Sequence, residues 1–158
     1  MGLDIAVIFI SILLSAFFSG MEIAFVSANK FQIELEKKKE GLTSKILSRL
    51  TAKSSKFITT MLVGNNIALV IYSFFMGKVL TEILPLDFLN EISILIIQTI
   101  ISTLVILVTA EFLPKAIFRI YANETLWFFA PLTYFFYIIF HFISNFKNHF
   151  RLFFLNIF

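Results

Sequence analysis

The sequence has no cysteine, which excludes disulfide bonds, a thiolate nucleophile and a thiolate metal site. Charge is also scarce, since Asp, Glu, Lys and Arg together make up 15% of the 158 residues. The sequence shows no phosphate-binding loop, no cofactor motif and no nucleophile placed beside a base. We therefore expect a protein that is not an enzyme.

The residues that are present are mostly apolar. Hydrophobic types make up 59% of the chain, Phe alone occurs 22 times, and the mean hydropathy is +0.92. Soluble domains have an apolar share nearer half. We predict an all-α integral membrane protein in a lipid bilayer, whose length allows three or four crossings.

Apolar runs alternate with charged stretches, and the charges predict the orientation. Short loops rich in Lys and Arg stay in the cytoplasm. We therefore expect a protein of the plasma membrane whose strongly basic stretch lies in the cytoplasm, with the N-terminus outside and the C-terminus in the cytoplasm. We interpret that stretch as a topology signal, not a nucleic-acid site. The predicted single transmembrane domain, 1–158, consists of helix 1 (about 3–27), a basic cytoplasmic helical loop (28–56), helix 2 (about 57–80), an acidic external loop (81–91), helix 3 (about 92–114) and a juxtamembrane region (115–158).

The apolar run 126–143 is the ambiguous part of this topology. Its length is just enough for a fourth crossing. Its aromatic residues, Pro131 and positive residues on both sides instead favour a helical element at the inner membrane boundary. We prefer three crossings plus this juxtamembrane element.

Polar residues in helix 1 share one helix face. Ser15, Ser19 and Glu22 follow at spacings of four and three residues, which predicts that they point into a bundle or a wet cavity. Small residues that only allow close helix packing are the alternative.

Helices 2 and 3 add further polar groups at membrane depth. Asn65 and Asn66 are adjacent and lie about 100° apart on a helix, so we expect local unwinding or a bulge at Gly64. Asn65 is favoured as an ion ligand, whereas Asn66 is equally compatible with a hydrogen bond between helices. In helix 3, three residues on one face would continue a polar lining: Gln98, Ser102 and Thr109.

Glu111 lies inside an apolar run and precedes Pro114. A proline within a helix cannot donate to the carbonyl four residues earlier, which would free the oxygen of Ala110 beside the carboxylate. Such an oxygen pair suits a small cation. Equally open is the reading that Glu111 pairs with Lys115 near the membrane boundary and that Pro114 ends the helix.

All of these candidate ligand atoms are oxygen. Hard cations such as Mg²⁺ and Na⁺ prefer carboxylate, carbonyl, amide and hydroxyl oxygens. The polar groups at membrane depth that could bind such a cation or line its cavity are Ser15, Ser19, Glu22, Asn65, Asn66, Gln98, Ser102, Thr109, Glu111 and the carbonyl of Ala110.

Three segments in this order resemble the transmembrane domain of the CNNM/CorC family: FFSGMEIA (17–24), LVGNN (62–66) and EFLPK (111–115). The resemblance implies three membrane helices, a juxtamembrane helix, an external N-terminus, a homodimer, and Mg²⁺ export in exchange for Na⁺. It also implies that Ser19, Asn65 and Glu111 are the ion-site residues, with Ser15 and Asn66 as neighbours. Soluble nucleotide-binding CBS modules of the family do not occur within 1–158.

The chain departs from the family pattern at two positions. Leu69 stands where members often have a further asparagine, and Ala110 stands where glycine is common before the glutamate. From the resemblance we expect Mg²⁺ export coupled to Na⁺ entry by alternating access. One alternative, which Leu69 favours, is a non-transporting module that senses ions or anchors partners. The other is a proton-coupled carrier that uses Glu22 and Glu111.

Overall fold

In the computed structural model, residues 1–84 and 90–155 are described, with side chains as far as residue 140. The described part is helical and contains no strand. Residues 85–89 of the expected external loop, 81–91, lie outside the described residues. The helices are α1 (Gly2–Ser27), α2 (Lys30–Lys38), α3 (Leu42–Ala52), α4 (Ser54–Ile83), α5 (Glu91–Ile106), a π-helix (Leu107–Phe112), α6 (Leu113–Ile120) and α7 (Ala122–Leu155).

Three stretches in the described part of the chain are long and apolar enough to cross a membrane: α1, α4 and a third span of α5, the π-helix and α6. The prediction of three membrane helices is thereby confirmed. The third span continues beyond Pro114 to Ile120, so the proline does not end the helix. Helix α7 runs unbroken through Pro131, and its juxtamembrane position stays a prediction.

The core is built from aromatic rings around α1. The rings of Phe17 and Phe18 contact Phe129 and Phe136 of α7 at centroid distances of 5.6 and 4.8 Å respectively. Gly64 lets α4 approach α1 closely, because a Cβ there would lie 2.6 Å from the Phe18 ring. This packing holds α1 between α4, α7 and the third span.

The expectation of local unwinding or a bulge at Gly64 is wrong, because α4 is a continuous α-helix from Ser54 to Ile83. The Asn65 side chain has a hydrogen-bond partner on α1, so the helix need not break to satisfy that amide. Asn66 is exposed on the surface of α4. The irregular backbone lies instead in the third span, at the π-helix, where the Leu113 N–H donates to the Val108 carbonyl five residues earlier.

The basic segment between α1 and α4 folds as two short helices, and it meets the start of α7. Asn29 caps α2 by accepting from the backbone N–H groups of Phe31 and Gln32. Asn123 of α7 accepts from the Asn29 N–H at 3.0 Å and donates to Gln32 Oε1 at 2.9 Å. We call this end of the bundle the basic end.

Candidate functional site

Two serines of α1 face two different helices. Ser15 and Ser19 are both fully buried, one helical turn apart. The Ser15 hydroxyl donates to Asn65 Oδ1 on α4 at 2.6 Å, and the Ser19 hydroxyl donates to the Ala110 carbonyl on the π-helix at 2.6 Å. These four groups, which we call the oxygen cluster, form two hydrogen-bonded pairs that join all three spans within one helical turn of α1.

Pro114 explains why the Ala110 carbonyl belongs to this cluster. In a regular α-helix that carbonyl would accept from residue 114, but proline has no N–H. Ala110 is fully buried, and its oxygen accepts from Ser19 instead. A buried carbonyl without a partner would be costly, so the contact between α1 and the π-helix stabilises the local irregularity.

Glu111 follows Ala110 but is paired elsewhere. Its side chain is 34% exposed, and Glu111 Oε2 lies 3.6 Å from the Nζ of Lys115, one turn further along. Within the described residues the carboxylate has no hydrogen bond or ion pair with the oxygen cluster. The ion pair with Lys115 that the sequence left as an alternative is therefore present.

Two other predicted residues lie outside the cluster. Glu22 is partly buried on the same face of α1, three residues beyond Ser19, and has no hydrogen-bond or ionic partner among the described side chains. Asn66 is exposed, so of the two adjacent amides only Asn65 reaches α1.

The three remaining residues, on the third span, do not extend the cluster either. Gln98 donates to Thr81 Oγ1 on α4 at 3.0 Å. The Ser102 carbonyl accepts from the Tyr72 hydroxyl at 3.0 Å, and Thr109 is exposed and donates to the carbonyl of Val105 in its own helix. Gln98 lies twelve positions before Ala110, which is about 18 Å along a helix axis. The expected continuous polar lining is thus divided into separate contacts.

An ion pair that the sequence analysis missed joins α1 and α4 at the end opposite the basic end. The Asp4 carboxylate is 7% exposed and accepts from Lys78 Nζ at 2.9 Å. The signal was a lysine inside an apolar helix, because such a residue usually pairs with another charge.

The chemistry of the cluster suits a hard cation. Hydroxyl, amide and carbonyl oxygens are ligands for Mg²⁺ and Na⁺. The described residues contain no group of three acidic, histidine or cysteine side chains placed to hold a metal ion, so a cation here would rely mainly on neutral oxygens. Glu111 and Glu22 are the carboxylates next to the cluster along the chain.

Comparison with known sequences identifies the family of the chain. The family described as the Cyclin M transmembrane N-terminal domain, CNNM, matches residues 5–158. The chain belongs to the CNNM family. It is 32% identical over 147 residues to UPF0053 protein MG146 of Mycoplasma genitalium, covering 88% of this chain and 34% of that protein. It is 29% identical over 111 residues to the UPF0053 inner membrane protein YfjD of Escherichia coli, covering 70% of this chain and 24% of that protein.

Membership of the CNNM family supports a transport-related role in a membrane. The three spans agree with it, since CNNM is described as a transmembrane domain. The chain spans about a third or less of the length of these curated relatives.

Proposed function

We propose that this protein transports Mg²⁺ across the membrane, and that the oxygen cluster binds the ion on its way. The observation that carries the proposal is the meeting of Ser15, Ser19, Asn65 and the Ala110 carbonyl from three spans. Transport requires ligands on elements that move relative to one another, and these oxygens lie on three separate helices. Neutral oxygens also bind Mg²⁺ weakly enough to release it.

The two hydrogen bonds of the cluster define what binding must change. Each serine hydroxyl now donates its proton to another oxygen, so binding of a cation requires the O–H to rotate away, which frees lone pairs on both oxygens for the ion. Mg²⁺ prefers six oxygen ligands at about 2.0–2.1 Å and usually keeps several waters. Four protein oxygens with two waters would complete that number.

Glu111 supplies the charge in this mechanism. Its carboxylate is held by Lys115 at 3.6 Å, a loose pair that is partly exposed and therefore weak. We propose that Glu111 pairs with Lys115 while the site is empty, and that it leaves Lys115 to bind the ion when the ion arrives.

We also propose that Mg²⁺ leaves the cell in exchange for Na⁺ by alternating access, in a homodimer with an external N-terminus and a cytoplasmic C-terminus. The direction, the exchange and the dimer rest on the resemblance to the family. Helix α5, none of whose residues is buried, offers an apolar surface to a second copy or to lipid.

The test is a flux assay in liposomes with a Mg²⁺ indicator inside and an imposed Na⁺ gradient. We expect Na⁺-dependent flux that is lost in Glu111→Gln and Asn65→Ala. Asn66→Ala is the matched control, because it removes the exposed neighbouring amide, and it should retain flux. Loss of flux in Asn66→Ala alone would contradict the assignment of Asn65.

Two other functions have an observation in their favour. The Glu111–Lys115 pair would suit a non-transporting module, in which case Mg²⁺ binds without flux. The unpartnered, partly buried Glu22 would suit a proton-coupled carrier, in which case flux follows a pH gradient and disappears in Glu22→Gln.

A further inference from the structure

A cavity of about 500 Å³ lies at the basic end, away from the oxygen cluster. It is an open cleft lined by α2, the turn into α3 and the first two turns of α7. Polar side chains from all three elements line it, together with the indole of Trp127.

One wall of the cavity is the N-terminus of α3, an eleven-residue helix. Gly41 precedes the helix with a φ of 145°, a conformation that other residues rarely adopt, and no side chain caps the helix. The first N–H groups of an α-helix have no partner within it, and the helix dipole makes this end favourable for anions. The uncapped donors of Leu42, Thr43 and Ser44 are therefore available at the cavity.

The Ser44 hydroxyl is a second, independent sign of a ligand. Ser44 is only 4% exposed, yet it lines the cavity, and its hydroxyl has no hydrogen-bond partner within the described part of the chain. A bound oxyanion would therefore accept from this hydroxyl as well as from the helix end.

The other lining charges limit which anion fits. Glu36 is neutralised by Lys39, whose Nζ donates to it at 2.6 Å. Glu40 and Glu124 also line the cavity and have no such partner among the described residues. A simple phosphate would be repelled by these two carboxylates, whereas a ligand that also carries a cation would be attracted. The Trp127 ring, 48% exposed, adds a face that favours an ammonium group.

We propose that this cavity binds a phosphoethanolamine group, with its phosphate at the N-terminus of α3 beside Ser44 and its ammonium group near Glu40, Glu124 and Trp127. This chemistry has two sources, the headgroup of a phosphatidylethanolamine lipid in the adjacent leaflet and a soluble phosphoethanolamine ester. The proposal is independent of the proposed transport function.

Trp127 provides a direct readout, because it is the single tryptophan in the sequence and it lines the cavity. The protein is placed in nanodiscs of phosphatidylglycerol, and its fluorescence is followed as phosphatidylethanolamine replaces part of that lipid. In a second arm, soluble glycerophosphoethanolamine is added to protein in pure phosphatidylglycerol. We expect a saturable fluorescence change in the lipid arm for a lipid source and in both arms for a soluble source. No saturable change in either arm would overturn the proposal.

Paired variants show whether the change comes from this cavity. Ser44→Ala should weaken binding about tenfold, because it removes a hydrogen bond to a charged group. Ser48→Ala, an exposed serine one turn further along α3, is its matched control and should bind like the unchanged protein. Equal binding by the two variants would refute the assignment of Ser44.

A double variant, Glu40→Gln with Glu124→Gln, tests the ammonium half of the site. It should weaken binding of glycerophosphoethanolamine and allow inorganic phosphate to bind, which the unchanged protein should exclude. If the double variant bound both probes as the unchanged protein does, the two carboxylates would have no part in the site. Circular dichroism of each variant confirms that it is folded.

Discussion

Gly64→Ala tests the close approach of α1 and α4 that places Asn65 beside Ser15. An added Cβ would lie 2.6 Å from two atoms of the Phe18 ring and 2.8 Å from a third. Favourable carbon contacts lie at about 3.5–4.0 Å, so the overlap approaches 1 Å. The ring is 3% exposed and packed against other rings, including Phe17 at 5.3 Å, so it has little room to turn away.

Overpacking of this kind costs about 1–3 kcal/mol of stability. Gly77→Ala is the matched control, because Gly77 lies in the same helix and a Cβ there meets nothing within 4 Å. Replacing an unhindered helical glycine with alanine stabilises by about 0.5–1 kcal/mol. Because both substitutions gain this helix propensity, the two variants should differ by the overpacking cost alone, about 1–3 kcal/mol, with Gly64→Ala the less stable of the two.

The assay is unfolding in mixed micelles of a mild detergent and increasing SDS, followed by far-ultraviolet circular dichroism. Adding Phe18→Leu, which provides room beside Gly64, should reduce the cost of Gly64→Ala, because residues in contact show coupled effects. The reasoning fails if Gly64→Ala is as stable as Gly77→Ala, or if its cost is the same with Leu at position 18.

Three further changes can be measured in the same titration. Thr133→Val should stabilise the protein by about 1–3 kcal/mol, because its buried hydroxyl has no hydrogen-bond partner in the described part of the chain; a loss of stability would contradict this. Tyr134→Phe should cost about 0.5–1.5 kcal/mol, because its hydroxyl accepts from Arg49 at 2.9 Å, and no change would show that this bond contributes little. Lys78→Met should destabilise, since it deprives the buried Asp4 carboxylate of its partner on α4, and exchanging the two residues should restore part of the loss.

Much of the fold follows from the sequence because the bilayer sets the length of each apolar run. The chain segments expected as helices 1 and 2, about 3–27 and 57–80, correspond to α1 and α4. The spacing of Ser15 and Ser19 also predicted one buried face, since a helix has a fixed period. Helix length and helix periodicity depend on residues that are close in the chain, so a single sequence is enough to predict them.

Contacts between distant residues could not be predicted in the same way. Two adjacent amides indicated a broken helix only while the partner of Asn65 was unknown, and that partner, Ser15, is 50 positions away. Asp4 and Lys78 are 74 positions apart, so neither residue identifies the other by spacing. The pairing of Glu111 was open in the sequence because Lys115 lies four residues after it and the Ala110 carbonyl lies directly before it.

The positions of the polar contacts predict which span moves during the proposed transport. Helices α1 and α4 are joined at two levels, by Asp4 with Lys78 and by Ser15 with Asn65, about 16 Å apart along α1. Relative tilting of these two helices would break at least one contact. By contrast, α5 has no buried residue, and the third span is joined to α1 by one hydrogen bond, from Ser19, and to α4 by two, between Gln98 and Thr81 and between Tyr72 and the Ser102 carbonyl. Movement of the third span would break neutral hydrogen bonds and leave the buried ion pair of Asp4 intact, so we expect the third span to move.

The absence of cysteine makes this testable by cross-linking. Gly20→Cys with Phe118→Cys joins α1 to α6, where a Cβ at position 20 would lie 2.7 Å from Cγ of Phe118, and oxidation of this pair should stop Mg²⁺ flux. Asp4→Cys with Lys78→Cys, joined by a bifunctional maleimide, ties α1 to α4 and should leave flux largely intact. Reduction should restore flux in the first pair, which separates the effect of the cross-link from that of the substitutions. Flux that survives the first cross-link and disappears with the second would show that α4 moves instead.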